Sequence, residues 1–212
     1  MSGGDLFEKI NNNNIQEKDA LNIMRQVGLA VKVLHDIGIA HRDIKPENFL
    51  LTDKTPNFKI KIADFGFADY DQYGFKTPYY TPFYAAPELI RSERYFKSCD
   101  MWSLGVLMFG VCFQEFPFKS KDGVRLSPMV VQSIICAKYK FPNNNFSQEC
   151  KKLIENLLVV DIYQRYNIDQ FLSDDWFENN NLKKRFKVDF KNVNLCGFYD
   201  GEKIIKTKSN FF

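Results

Sequence analysis

Residues 41–48 read HRDIKPEN and place a carboxylate, an ammonium group and a carboxamide within one short loop. Asp43 can accept or orient a hydroxyl proton, and Lys45 can neutralise the charge of a phosphate group. The side-chain oxygen of Asn48 can hold a metal ion. Phosphoryl transfer needs this combination, because its loose transition state is stabilised mainly by positioning and by countercharge.

A second metal ligand is expected close to this loop, and the tripeptide Asp64-Phe65-Gly66 supplies it. The residues therefore predict catalytic roles for Asp43 and Lys45 and metal-binding roles for Asn48 and Asp64. The alternative is a polar surface turn that carries these side chains by chance. We disfavour it because the ordered set is long and its companions follow along the chain.

The composition is that of a globular domain with a filled core. Of the 212 residues, 45% are hydrophobic and 21 are Phe, which argues against disorder. A net charge of +3 is too small to imply nucleic-acid or membrane binding. The five cysteines are odd in number and form no C-x-x-C pair, so they indicate thiols in a reducing compartment rather than a disulfide framework or a zinc site.

Apolar periodicity predicts a chain dominated by helices. Two short strands are expected at residues 49–51 and 58–62, joined by a turn. The run of asparagines at 11–14 is expected to form a solvated turn between helices. The main helices are predicted at residues 19–36, 100–113, 129–138, 150–160, 168–172 and 175–177.

The order of these motifs resembles the protein kinase family, whose catalytic loop reads H-R-D-x-K-x-x-N and whose metal-binding turn reads D-F-G. Ala86-Pro87-Glu88 matches the A-P-E close of the family, and residues 100–105 match its D-x-W-S-x-G helix. Three stretches, at 77–84, 97–106 and 123–142, are similar to the MAP-kinase-activated protein kinases of the calcium/calmodulin-kinase-like group. The resemblance extends over residues 2–177.

The resemblance implies a mainly α fold, the C-terminal lobe of a kinase, built as a helical bundle with short β hairpins at the catalytic cleft. This lobe is expected over residues 1–178, with a C-terminal tail at 179–212. The N-terminal β-rich lobe is expected to be missing, because the sequence contains no G-x-G-x-x-G loop and no strand lysine of the V-A-I-K type. We therefore expect a serine/threonine kinase present as a truncated large lobe with little activity alone; the alternative is a non-catalytic docking or scaffold module.

The cofactors implied by the resemblance are ATP and Mg²⁺. Asp5 stands where the family contacts the ribose, and Leu50 stands where it packs under adenine. With Glu47, Asn48 and Asp64, these residues form the expected cofactor site. The alternatives are a helix N-cap for Asp5 and an ordinary core position for Leu50.

The segment from Asp64 to Glu88 resembles an activation segment and carries two Thr-Pro pairs, at Thr77 and Thr81. Proline after threonine favours an extended, accessible backbone, which suits an upstream proline-directed (MAP) kinase. A phosphate on Thr77 is expected to order the segment against Arg42. Thr81 instead matches the threonine that contacts the catalytic carboxylate and lysine. The alternative is that the prolines only shape the loop.

Structural roles are expected for three more residues. Asp100 is expected to hold the catalytic-loop backbone, with a plain helix N-cap as the alternative, and Arg165 is expected to pair with Glu88. Asp5 and Glu47 imply protein substrates with basic residues upstream of Ser or Thr. The basic stretch 183–188 is expected to be solvated, with a docking motif as the alternative. The expected location is the cytoplasm, with the nucleus as a second compartment, and neither nucleic acid nor a membrane is an expected partner.

Overall fold

Helices make up close to half of the described residues and are the main regular structure. The computed structural model describes residues 2–12, 14–76, 81–119 and 126–178. Two antiparallel pairs of short strands lie within these ranges, β1 with β4 and β2 with β3. The many helices and few short strands fit the predicted kinase-like fragment, but of these two pairs only β2 and β3 form a hairpin, since β1 and β4 are separated in the chain by that pair. The strands are β1 (Ile39–Ala40), β2 (Phe49–Leu51), β3 (Ile60–Ile62) and β4 (Asp69–Tyr70). The helices are α1 (Leu6–Asn12), α2 (Glu17–Asp36), α3 (Pro87–Ile90), α4 (Ser98–Phe113), α5 (Pro128–Ile135), α6 (Gln148–Leu157), α7 (Ile168–Leu172) and α8 (Asp175–Glu178).

Helix α4 is the axis of the core. Its sequence is apolar on every side, and its buried residues point in all directions around the helix, as expected for a helix enclosed by others. The indole of Trp102 stacks on Phe118, with ring centroids 5.5 Å apart and an interplanar angle of 5°. Of the helices in the described ranges, none combines the length and the apolar composition needed to cross a bilayer.

Helix α2 positions the catalytic loop. Its apolar residues recur at helical spacing and form one buried face, which packs against α7, β3 and α4. A Cβ at Gly28 would lie only 2.6 Å from the ring of Phe171, so the α2–α7 contact requires glycine there. Gly38 ends the helical segment with φ of 79°, a left-handed conformation that glycine adopts at little cost. The chain then enters β1 and the catalytic loop directly.

Several predicted boundaries are wrong by a few residues, and for α5 and α6 a side-chain cap, rather than apolar spacing, decides where the helix begins. The side-chain oxygens of Ser127 and Ser147 accept backbone hydrogen bonds from Val130 and Cys150, at 3.3 and 3.2 Å. Helices α5 and α6 therefore begin and end earlier than the predicted ranges 129–138 and 150–160. Helices α2 and α4 also begin earlier than predicted, α1 includes residues 11 and 12 of the predicted turn, and the strand expected over 58–62 is paired only in β3.

Candidate active site

The buried carboxylate of Asp100, in the first turn of α4, holds the loop of residues 41–48. The backbone N–H groups of His41 and Arg42 donate to its two oxygens, each at 2.8 Å. The ring N–H of His35 donates to the same carboxylate at 2.9 Å. Burial raises the pKa of Asp100, but the His35 hydrogen bond and the nearby histidines outweigh it and hold the pKa below its ordinary value of 3.8. These bonds keep Arg42 in a left-handed backbone conformation with φ of 66°.

The carboxylate of Asp43 gathers three donors from two parts of the chain. The hydroxyl of Thr81 donates to one oxygen at 2.6 Å, and the other oxygen accepts from Lys45 at 2.6 Å and from Asn48 at 3.0 Å. Burial raises the pKa of Asp43, but the hydrogen bonds of Lys45 and Thr81 prevail and lower it from 3.8. Asp43 is therefore an ionised acceptor at neutral pH. Thr77, the other predicted regulatory threonine, lies outside the described residues.

Two oxygen donors lie together at the end of the β2–β3 hairpin. The amide nitrogen of Asn48 donates to both the backbone and the side-chain oxygen of Asp43, at 2.8 and 3.0 Å. Both amide protons are thus used, which leaves the side-chain oxygen of Asn48 as the atom that can face a cation. Asp64 is exposed and directly follows Ala63, whose N–H donates to the backbone carbonyl of Asn48 at 2.8 Å. A carboxylate and a carboxamide oxygen are ligands that suit Mg²⁺.

The first residues of the chain pair with β2 and so extend the β2–β3 sheet. Asp5 and Leu50 form an antiparallel bridge, and the N–H of Leu51 donates to the carbonyl of Gly4 at 2.9 Å. Leu50 is half-buried. The carboxylate of Asp5 accepts the N–H of Glu8 at 2.8 Å, so it caps the start of α1. The backbone therefore brings Asp5 and Leu50 beside the Asn48 hairpin.

Glu47 lies in the short turn Pro46–Asn48 and acts electrostatically on Tyr84. Its side chain is exposed. Burial, and then the charge of Glu47, raise the pKa of Tyr84 well above its ordinary value of 10.0. The carbonyl of Tyr84 accepts the hydroxyl of Ser103 on α4 at 2.8 Å. Glu47 is thus close enough to Tyr84 for its charge to act on a segment that is tied to the core.

Glu88 and Arg165 form a bidentate ion pair behind the site. The two guanidinium nitrogens lie 2.8 and 2.9 Å from the two carboxylate oxygens, and the side chains are 5% and 0% exposed. Arg165 also donates to the carbonyls of Ser98 and Val159, each at 2.8 Å. The pair ties α3, at the end of the activation segment, to the start of α4 and to the loop that precedes α7.

Residues 1–177 match the protein kinase domain. The chain belongs to the protein kinase family. It is 44% identical over 184 residues to MAP kinase-activated protein kinase 2 of Cricetulus longicaudatus and of Homo sapiens, a match that covers 83% of this chain and 56% and 46% of those proteins. It is 42% identical over 189 residues to the protein of the same name from Drosophila melanogaster, covering 85% of this chain and 53% of that protein. The chain spans about half the length of the curated relatives it matches. The resemblance drawn from the motifs is confirmed.

Two contacts of this kinase-family site were missed from the sequence. His35 binds the buried Asp100 from the last turn of α2, and Phe65 of the D-F-G turn packs against the ring of His41, with centroids 5.5 Å apart. The available signal for the first contact was a histidine in the last turn of the helix that precedes residues 41–48. Its partner could not be inferred, because the direction of the ring depends on how α2 packs against α4.

Proposed function

We propose that the chain is the catalytic lobe of a serine/threonine protein kinase, which transfers phosphate from ATP to a protein hydroxyl. The observation that carries the proposal is the ionised carboxylate of Asp43, which is bound by Lys45, Thr81 and Asn48. The backbone carbonyl of Asn48 in turn accepts the N–H of Ala63, the residue before the exposed Asp64. A phosphoryl-transfer site needs an anionic acceptor, a cation and oxygen ligands for a metal within one cleft, and these groups supply them.

Each residue then has a distinct task. The lowered pKa of Asp43 makes it a weak base, so it orients the substrate hydroxyl and accepts its proton late in the transfer. Lys45 faces the same oxygen of Asp43 and balances the charge of the moving phosphate. Asn48 and Asp64 would hold Mg²⁺, and Asp5 and Leu50 would line the nucleotide site. When bound, ATP with Mg²⁺ supplies the phosphoryl group and the countercharge for its oxygens.

The expected partners of the protein are inferred from its acidic residues and from the names of its relatives. The acidic Asp5 and Glu47 favour protein substrates with basic residues upstream of the target Ser or Thr. The relatives are called MAP kinase-activated, which supports phosphorylation of Thr77 here by an upstream proline-directed kinase. We place this activity in the cytoplasm, and in the nucleus as a second compartment.

We further propose that a polypeptide of these 212 residues transfers little phosphate by itself. The sequence carries no glycine-rich loop and no strand lysine, and those groups cover and orient the nucleotide phosphates in kinases. The second candidate function, a non-catalytic module that docks substrates or an upstream kinase, predicts binding of a basic peptide without transfer even when a small lobe is attached.

The decisive experiment attaches the small lobe of a relative to residue 1 and compares the parent with Asp43→Ala. We expect the parent to phosphorylate a basic Ser/Thr peptide and the variant to lose at least about a hundredfold in kcat. Asp19→Ala, an exposed change in the first turn of α2, is the matched control and should retain activity. Undiminished transfer by Asp43→Ala would refute the assignment, and binding without transfer by the parent would favour the docking module.

The regulatory proposal has its own test. Incubation with a proline-directed kinase should place phosphate on Thr77, detected by mass spectrometry, and Thr77→Ala should remove that signal. Absence of phosphate at Thr77 in the parent chain would defeat the regulatory role.

A further inference from the structure

The guanidinium of Arg42, the residue just before the catalytic carboxylate, already faces an acid in the activation segment. Its Nη2 atom lies 3.6 Å from the carboxylate of Asp69. This separation is longer than a hydrogen bond, so the two groups interact through charge. The Arg42 side chain is 8% exposed, whereas that of Asp69 is 57% exposed. Since one partner is largely removed from water, the attraction is screened less than in an exposed pair.

The backbone holds Asp69 in this place. Strand β4, which contains Asp69, pairs with β1, and the register sets Asp69 opposite Ala40. Ala40 lies two residues before Arg42. The same short ladder therefore fixes both the start of the catalytic loop and the acid that faces it.

An aromatic slot confines Arg42 on its other sides. The ring of Phe75 lies 4.4 Å from the guanidinium carbon, and the hydroxyl of Tyr95 lies 3.4 Å from Nη1. The Nε–H donates to the carbonyl of Phe67. Phe75 and Tyr95 are both buried and are joined by two backbone hydrogen bonds, of 2.7 and 3.1 Å. The side chain of Arg42 is thus held in one orientation, with Asp69 at its rim.

We propose that Asp69 is a positioning residue, a resident counter-ion that holds Arg42 and the catalytic loop in place without a phosphate on the activation segment. This inference rests on the proposed function for its consequence in catalysis, but not for its structural part. Asp69 performs the task that the sequence assigned to a phosphate on Thr77. A phosphate that approaches Arg42 also approaches the carboxylate of Asp69, and the repulsion between the two anions reduces the gain from phosphorylation.

The first test uses the 212-residue chain and hydrogen–deuterium exchange at the amides of residues 41–43. Asp69→Asn removes the charge and keeps the shape, and we expect exchange there to accelerate about fivefold. Asp69→Glu should restore most of the protection, and Asp19→Asn is the matched control. Exchange in Asp69→Asn equal to that of the parent would overturn the proposal.

The second test uses millimolar inorganic phosphate as the probe for an anion at Arg42. Phosphate should slow exchange at residues 41–43 in Asp69→Asn and have little effect on the parent, because the resident carboxylate repels it. The double variant Arg42→Lys/Asp69→Asn should lose the response, since lysine lacks the planar fork that binds phosphate. Equal protection of the parent and Asp69→Asn by phosphate would also overturn the proposal.

The consequence for catalysis is measured in the small-lobe fusion, made in bacteria and shown by mass spectrometry to carry no phosphate. Asp69→Asn should lower kcat about fivefold with the KM for ATP unchanged, Asp69→Glu should recover it, and phosphorylation should stimulate Asp69→Asn more than the parent. If phosphorylation stimulates the parent and Asp69→Asn equally, the proposed repulsion between the phosphate and the carboxylate of Asp69 is wrong. A fusion that transfers no phosphate at all would defeat the proposed function, while the exchange experiments would still decide the structural role of Asp69.

Discussion

The pairs Glu88–Arg165 and Asp43–Lys45 each join a carboxylate to a cationic side chain, but they differ in what surrounds them. Arg165 is 0% exposed, and its donors are used by two carboxylate oxygens and by backbone carbonyls. Lys45 is 22% exposed and shares the Asp43 carboxylate with Thr81 and Asn48. The first pair is closed to solvent and ligand, whereas the second is open on the lysine side.

The difference shows that an ion pair can either stabilise the fold or remain available to a ligand. A closed pair is costly to break, because either partner would be left charged and dry. Breaking an open pair costs less folding free energy, and its carboxylate can exchange a protein donor for a ligand group. Mutations at each pair test this contrast.

The largest effect is expected at the closed pair. Arg165→Ala should lower the free energy of unfolding by about 3–5 kcal/mol, because Glu88 is left as a buried, uncompensated charge. Arg91→Ala, at an exposed position, is the matched control and should cost less than about 1 kcal/mol. Urea denaturation measures both. The double change Glu88→Leu/Arg165→Met should recover part of the loss; a loss below about 1 kcal/mol in Arg165→Ala would contradict the closed-pair interpretation.

The second largest effect is expected at Asp100. Its carboxylate is buried like that of Glu88, but it supports the loop that carries the open pair. Asp100→Ala should cost about 2–4 kcal/mol, because it leaves the N–H groups of His41 and Arg42 and the ring of His35 without their acceptor. The loss is measured by urea denaturation, and hydrogen exchange at residues 41–43 should accelerate in parallel. If Asp100→Ala is destabilised but exchange at residues 41–43 is unchanged, Asp100 stabilises the core without supporting the loop.

A third prediction concerns acid. The pKa values of Asp43 and Asp100 are held below the ordinary 3.8 in the folded state. The stability from these shifts is therefore complete above about pH 4 and is lost as the pH falls through the folded-state values. Urea denaturation at a series of pH values should show a shallower loss on acidification in Asp43→Asn than in the parent.

Asp71 is a control for the measurements at acidic pH, because its pKa shift has the opposite sign. Burial raises the pKa of Asp71 above 3.8, so the folded state binds more protons there than the unfolded chain and is relatively stabilised as the pH falls toward 4. Asp71→Asn should remove this gain and make the loss of stability on acidification steeper. A slope in Asp43→Asn no different from that of the parent would indicate that the ionisation of Asp43 is not coupled to folding.

The smallest effect is expected at Thr81, on the open pair. Thr81→Val removes one of the three donors to Asp43 and should cost about 0.5–1.5 kcal/mol. Thr81→Ser keeps the hydroxyl and should lie close to the parent. Carbon-detected NMR titration of Asp43 should show its pKa rise in Thr81→Val, since a hydrogen bond that lowers it is lost. No rise, with the fold intact, would show that Thr81 does not contribute to the charge state of Asp43.

Much of the candidate site could be predicted because its groups lie close together in the chain. The loop at 41–48 and the turn at Asp64 carry their chemistry within a few residues, and the partner of Glu88 could be named from the family pattern. The environment of Arg42 could not be predicted in the same way. The carboxylate of Asp69 and the side chains of Phe75 and Tyr95 lie around it, and the predicted phosphate on Thr77, outside the described residues, stays a prediction. That slot is formed by strand register and by packing between distant segments.

Residue types at short, ordered spacings reveal which functional groups this protein possesses and to which family it belongs. Folding sets which of those groups are ionised, which are already paired and which remain accessible to a ligand. Those properties depend on burial and on contacts such as Asp43–Thr81 and Arg42–Asp69, which exist only after segments far apart in the chain have packed together.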